Sequence, residues 1–146
     1  MGSGTSDALV FFGATGDLAY KQIFPALQAL VRHKQLPGPI IGVGRSGWTT
    51  EQLVARARAS VEEHGGVDPA AFPELARRLC YLDGDYNSPE LFQSLRQAIG
   101  GAQRPLHYLA IPPSAFEVVA KGLAASGCAT NARIVVEKPF GRDLAS

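Results

Sequence analysis

Gly13 and Gly16 stand three residues apart, with Ala19 three further on, between an apolar run and a helical pattern. Val10, Phe11 and Phe12 read as the end of a buried strand. From Asp17 the apolar residues Leu18, Ile23, Leu27, Leu30 and Val31 fall mostly at helical spacing. A strand that turns through glycines into a helix leaves N–H groups without partners at the helix start. Those groups and the helix dipole favour an anion, commonly a phosphate. Gly13 permits the tight turn, Gly16 lets the backbone approach a pyrophosphate, and Ala19 is small enough for close helix–strand packing.

A second group follows the next apolar run, "IIGVG", where Arg45 and Ser46 stand and no acid does. A strand end built for NAD carries Asp or Glu to hold ribose hydroxyls. A guanidinium instead makes paired hydrogen bonds to a phosphate, so Arg45 reads as a clamp for the 2′-phosphate of NADP. The Gly42 and Gly44 pair suits a backbone lying close to the adenine ribose. Further along, Asp85 and Tyr86 follow a third run, and Pro112 begins "PPSAF" after a fourth. Each has a plain reading as well: glycine and proline punctuate loops, and Arg45 or Tyr86 suits a solvated turn. Their concentration on one edge favours a crevice.

The elements that must position them alternate. Strands are expected at about 8–12, 40–44, 80–85, 105–111 and 132–139. Helix one spans Asp17 to about His33. The second has Thr49 or Thr50 as cap and Gly65 as stop, and a shorter piece over 70–79 is interrupted by Pro73. The next starts with Ser88 as cap and Pro89 in its first turn and stops at Gly100; the last opens at Ser114 and closes at Gly127. Strands separated by helices imply a doubly wound parallel sheet, a Rossmann-like α/β domain, with ligands at the carboxyl ends of the strands. The run "RIVVE" suits a strand buried on both faces.

Composition bounds the rest. The chain has 146 residues, 46% of them hydrophobic, and a net charge of +1 without blocks of like charge, so a nucleic-acid or membrane surface is not expected. "MGSGTSD" lacks the regions of a signal peptide, and residues 1–6 read as a tag or a disordered N-terminus. Cys80 and Cys128 have no metal-ligand spacing and are expected to be buried free thiols in a cytoplasmic protein; no metal is expected.

"FFGATGDLAYKQIFPAL", "GVGRS", "YLDGDY", "YLAIPPSAFEVV" and "RIVVEKPFGRDLAS" together resemble glucose-6-phosphate dehydrogenase, from about Asp7 to the last residue. The resemblance implies NADP as cofactor, held by Gly13, Ala14, Thr15, Gly16, Asp17, Leu18, Ala19, Arg45, Ser46, Asp85, Tyr86, Pro112 and Lys138. It implies that Lys138 also contacts the sugar and that the Lys138–Pro139 bond is cis. The family oxidises glucose 6-phosphate at C1 to 6-phosphogluconolactone with hydride transfer to NADP, and its members are expected to be homo-oligomers. Its catalytic base belongs to a histidine run that this chain lacks. The chain is therefore expected to be the cofactor half of a longer enzyme, inactive alone, with residues 7–146 as one NADP-binding domain. His33 and His64 fall near helix ends and His107 inside strand four, so none is read as the base. Asp17 is expected to turn from the anion and bond loop donors. Two other readings stay open: a sugar oxidoreductase of the Gfo/Idh/MocA or extended short-chain type, and a non-catalytic NADP-binding sensor.

Overall fold

A computed structural model describes residues 7–33, 38–100, 104–128 and 132–136. Five strands, β1 (Ala8–Phe12), β2 (Ile40–Gly44), β3 (Leu79–Asp83), β4 (Pro105–Leu109) and β5 (Arg133–Val136), form one parallel sheet in the order β3-β2-β1-β4-β5. Helices α1 (Phe24–Arg32), α2 (Thr50–Glu63) and α3 (Ala71–Arg78) cover one face; α4 (Pro89–Ile99) and α5 (Phe116–Ser126) cover the other. The alternation of strand side chains sorts them. Leu9 and Phe11 enter the first layer, and Ala8, Val10 and Phe12 the second. The sequence order reverses between β1 and β4, which makes that crevice the switch point where ligands bind in open α/β sheets.

Several local details differ from the sequence reading. Asp17 and Leu18 are already helical, but Ala19–Ile23 form a π turn before α1. Pro25 causes it: with no N–H and a ring that crowds the carbonyl four residues back, it forbids regular α geometry there. The Phe24 N–H reaches back to Ala19 O, and the Tyr20 carbonyl accepts from the Ser60 hydroxyl of α2 instead of from its own helix. Pro73 does not interrupt α3 but sits in its first turn, where its absent N–H costs nothing, and Asp68 accepts from the Ala70 and Ala71 amides. Thr49 rather than Thr50 caps α2, in a reciprocal capping box with Gln52. Thr50 accepts from the Tyr81 N–H of β3. Ser88 occupies the cap position of α4, but its side chain accepts no cap bond from a backbone N–H. Pro113–Ala115 form a 3-10 turn, so α5 begins at Phe116 rather than Ser114; Gly127 ends it at φ 84°.

Two expectations about burial fail because of strand order. Ile134 and Val135 of β5 are among the exposed apolar residues, since β5 is an edge strand in the described sheet. Cys80 lies on the opposite edge strand and is only half-buried, whereas Cys128 is buried; both are free thiols. Residues 1–6 and the Lys138–Pro139 bond lie outside the described residues.

In the second layer Phe12 stacks on Phe92, their centroids 6.2 Å apart, and meets Tyr86 edge-on at 5.9 Å. Phe92 needs the space beside Gly122 of α5: a Cβ there would stand 2.3 Å from the ring. Helix propensity favours Gly122→Ala by about 1 kcal/mol. Overpacking against a buried ring costs about 1–3 kcal/mol. The variant is expected to melt several degrees below wild type, and an equal or higher melting temperature in thermal denaturation would refute this packing argument.

Candidate functional site

The carboxyl ends of β1, β2 and β4 and the segment after β3 enclose a cleft of about 440 Å³. Gly13, Thr15 and Gly16 line it from β1, Gly44, Arg45 and Ser46 from β2, Tyr86 from β3, and Ala110, Ile111, Pro112, Ser114 and Ala115 from β4.

Gly13 carries the loop across the crevice at φ 85°, a backbone shape that side chains resist. A Cβ at Gly13 would stand 2.1 Å from Ala110 O. The Gly13 and Ala14 amides both donate to Val43 O, at 2.9 and 3.1 Å, and the Gly16 amide to Gly13 O at 3.0 Å. The helix then opens with Tyr20 N–H on Gly16 O. The amides of Asp17, Leu18 and Ala19 precede the first helical donor, Tyr20 N–H, so the helix itself offers them no carbonyl. This end, beside the cleft and with Gly16 exposed on it, fits a pyrophosphate.

Asp17 departs from expectation. It is exposed and, among the described residues, accepts from no loop amide. Three of the loop's donors are already committed to Val43 O and Gly13 O, and a side chain in the first helical turn projects outward. Ala14 and Ala19 are fully buried. Ala14 fills the space beside Gly42: a Cβ on Gly42 would meet Ala14 Cβ and a Leu53 methyl at 2.9 Å each. At Gly44 the equivalent space holds the Tyr81 hydroxyl and the Thr15 methyl. The Cβ space of both β2 glycines is thus filled by protein side chains, while Gly44 also lines the cleft. Leu18 and Asp85 do not line the cleft.

Arg45 lies at the mouth with its guanidinium over the Tyr86 ring, 5.1 Å from the centroid. No carboxylate among the described residues lies within ion-pair distance of it, although the Asp85 carboxylate feels its charge. Ser46 Oγ and Thr15 Oγ1 share a hydrogen bond of 2.8 Å, which ties the β2 turn to the glycine loop. Tyr86 is buried rather than free in its loop. Burial raises its phenol, against the Gly13 backbone amide and the Arg45 charge, which lower it. Asp85 closes the loop below it by accepting from Asn87 N–H at 2.9 Å. That bond, first, holds its carboxyl below the usual range.

The sequence reading missed Tyr81 and Asp83. Tyr81 Oη and Gly47 N–H both donate to Asp83 Oδ1, at 2.6 and 2.7 Å. Burial, then the Asp83 bond, raises the Tyr81 phenol. The signal was present: residues two apart in a strand share a face, and these two end β3 beside the Arg45 turn. Lys138 lies outside the described residues. Among the described residues no group of His, Cys, Asp and Glu could hold a metal, and no helix is long and apolar enough to cross a membrane.

The family model described as "Glucose-6-phosphate dehydrogenase, NAD binding domain" matches residues 10–146. The chain belongs to the glucose-6-phosphate dehydrogenase family. It is 48% identical over 145 residues to glucose-6-phosphate 1-dehydrogenase 1 of Mycobacterium tuberculosis H37Rv, covering 99% of the chain and 31% of that relative. The crystal structure of glucose-6-phosphate 1-dehydrogenase from Mycobacterium avium superposes with a TM-score of 0.86 at 46% identity, over 97% of this chain and 32% of that one. A glucose-6-phosphate dehydrogenase in complex with its substrate glucose 6-phosphate superposes at 0.80 with 33% identity, again over 97% and 32%. The chain thus spans about a third of the length of these relatives. A nicotinamide dinucleotide is the cofactor class that the matched domain of this family holds.

The three histidines lie off the cleft lining. His33 and His64 end α1 and α2 and are exposed. His107 is fully buried; its Nε2–H donates to Cys128 O at 2.8 Å and its Nδ1 has no partner. Burial holds its pKa down, against that hydrogen bond. The native ring is therefore neutral where the unfolded one, near pH 6.5, takes a proton. The stability this provides is present above about pH 6.5 and is lost as pH falls through the lowered native value. The melting temperature is expected to drop between about pH 7.5 and pH 5.5. It should drop less in His107→Gln, which keeps a donor for Cys128 O. Equal slopes in a melting series over that range would rule His107 out as the titrating group.

Proposed function

We propose that this chain, with residues 7–146 as one domain, is the NADP-binding half of a cytoplasmic, homo-oligomeric dehydrogenase. The whole enzyme oxidises glucose 6-phosphate to 6-phosphogluconolactone. The observation that carries the cofactor choice is Arg45: a guanidinium with no carboxylate in ion-pair distance, stacked on Tyr86 at the mouth of the cleft, where β2 ends without an acid. Bound NADP would accept the hydride. Of the residues present, the Asp17, Leu18 and Ala19 amides would face the pyrophosphate and Gly16 would leave it room. Arg45 and Ser46 would hold the 2′-phosphate, and Pro112 would border the site. Lys138 is proposed, from the resemblance alone, to contact both cofactor and sugar.

An arginine–phosphate pair contributes about 1.5–3 kcal/mol, roughly ten- to hundredfold in affinity. Titration calorimetry should therefore find NADP⁺ bound that much more tightly than NAD⁺, and Arg45→Ala should bring the two together. Equal affinities in the wild type would sink the assignment.

No residue of the chain is assigned as the general base, and losing such a base costs about 10²–10⁴-fold in rate. The 146-residue chain is expected to bind NADP⁺ yet form no NADPH with glucose 6-phosphate. Turnover, followed by NADPH absorbance on protein of verified mass, would reveal a base among these residues.

A further inference from the structure

The turn that carries Arg45 is not fixed by packing. Arg45, Ser46 and Gly47 are all exposed, and a Cβ on Gly47 would meet nothing within 4 Å. Gly44 is the last residue of β2 in register with β3, opposite Asp83, and the Gly84 amide donates to Gly44 O at 3.0 Å. Beyond that rung no strand ladder holds the chain. Asp83 bridges the gap, because its Oδ1 accepts from Gly47 N–H while the Tyr81 hydroxyl, itself on a buried ring, fixes the carboxylate. Gly44 admits that hydroxyl by lacking a Cβ. Just past the turn, Thr50 accepts from Tyr81 N–H, so one residue of β3 steadies the segment at both ends.

We infer that Asp83, held by Tyr81, is a positioning residue that sets the selection between 2′-phosphorylated and unphosphorylated dinucleotide. It does so by holding the Gly47 amide and, with it, the turn from which Arg45 projects. The inference rests on the reading of Arg45 as the 2′-phosphate clamp. Asp83 does not line the cleft, and it reaches the Arg45 turn at Gly47, whereas the turn's tie to the glycine loop is the separate Ser46–Thr15 hydrogen bond. Its loss should therefore affect the 2′-phosphate and spare the pyrophosphate. Its charge works the other way: a carboxylate near a phosphate weakens binding. The two effects are separable. Asp83→Asn keeps an oxygen acceptor for both donors and removes the charge; Asp83→Ala removes both.

The test is calorimetric titration of the 146-residue chain with NADP⁺ and with NAD⁺, melting temperature checked for each variant. Asp83→Ala is expected to lower the ratio of NADP⁺ to NAD⁺ affinity about fivefold, the equivalent of one ordinary hydrogen bond, with NAD⁺ affinity within about twofold of wild type. Asp83→Asn should keep at least the wild-type ratio. Tyr81→Phe, which removes the hydroxyl from Asp83 and from the Ser46 and Trp48 backbone, should lower it in the same direction. If Asp83→Ala does not fold, Asp83→Leu takes its place, and a fall in Tyr81→Phe with an unmoved ratio in the Asp83 variant overturns the role of Asp83. A ratio unmoved in both Asp83→Ala and Tyr81→Phe while Arg45→Ala lowers it overturns this inference and leaves the Arg45 reading intact. So does an equal loss of both affinities, a rise in the ratio on Asp83→Ala, or a fall in Asp83→Asn as large as in Asp83→Ala. A ratio that Arg45→Ala does not move overturns both.

Discussion

The site depends on one close approach. At Gly13 the chain leaves β1 and passes Ala110 of the β4 end so closely that a side-chain carbon would stand 2.1 Å from a carbonyl oxygen. Only glycine satisfies this and the positive φ together. The Val43 carbonyl takes both the Gly13 and Ala14 amides, so the first turn of the loop is tied to β2 while it lies against β4. Three central strands thus meet at one residue, at the point where strand order reverses. The helix that follows cannot begin anywhere else, and its open amides are aimed by backbone geometry rather than by side chains.

The other end of that helix is fixed by a different device. Pro25 forces a π turn and leaves the Tyr20 carbonyl without the amide that a regular helix would supply. Ser60, a buried polar residue in the first layer, supplies the hydrogen bond from α2. A buried carbonyl without a partner costs about 1–3 kcal/mol, so the π turn is tolerable only where α2 provides that hydroxyl. The segment between loop and α1 is therefore anchored to two other parts of the fold.

Periodicity and the strand-end residues made the doubly wound sheet legible, and β1 and β2 lie where the apolar runs put them. What the sequence concealed follows from strand order and from distance along the chain. "RIVV" has the composition of a central strand, yet β5 lies at an edge of the described sheet and exposes Ile134 and Val135. Nothing local distinguishes the two cases. Gly42 and Gly44 looked like clearance for a ligand; the atoms that fill the space come from Ala14, Leu53 and Tyr81. Pro73 looked like a break, and only the start of α3 at Ala71, behind the Asp68 carboxylate on the Ala70 and Ala71 amides, shows it to be in a first turn. Tyr86 looked like a loop aromatic, but Phe12 on one side and Arg45 on the other make it a buried platform.

Strand order also divides the labour of recognition. On the proposed reading, the β1–β4 crevice faces what every dinucleotide shares, a pyrophosphate; it is lined largely by glycine and small residues, and at Gly13 a Cβ has no room. The β2–β3 side is the sheet edge. There the Arg45 turn is exposed and held by side chains: Ser46 to Thr15, Gly47 to Asp83, Arg45 on Tyr86. A substitution in that set alters a turn without moving a strand. If Arg45 holds a 2′-phosphate, the part of the cofactor that differs between NAD and NADP meets the part of the fold that can vary at least cost to the core.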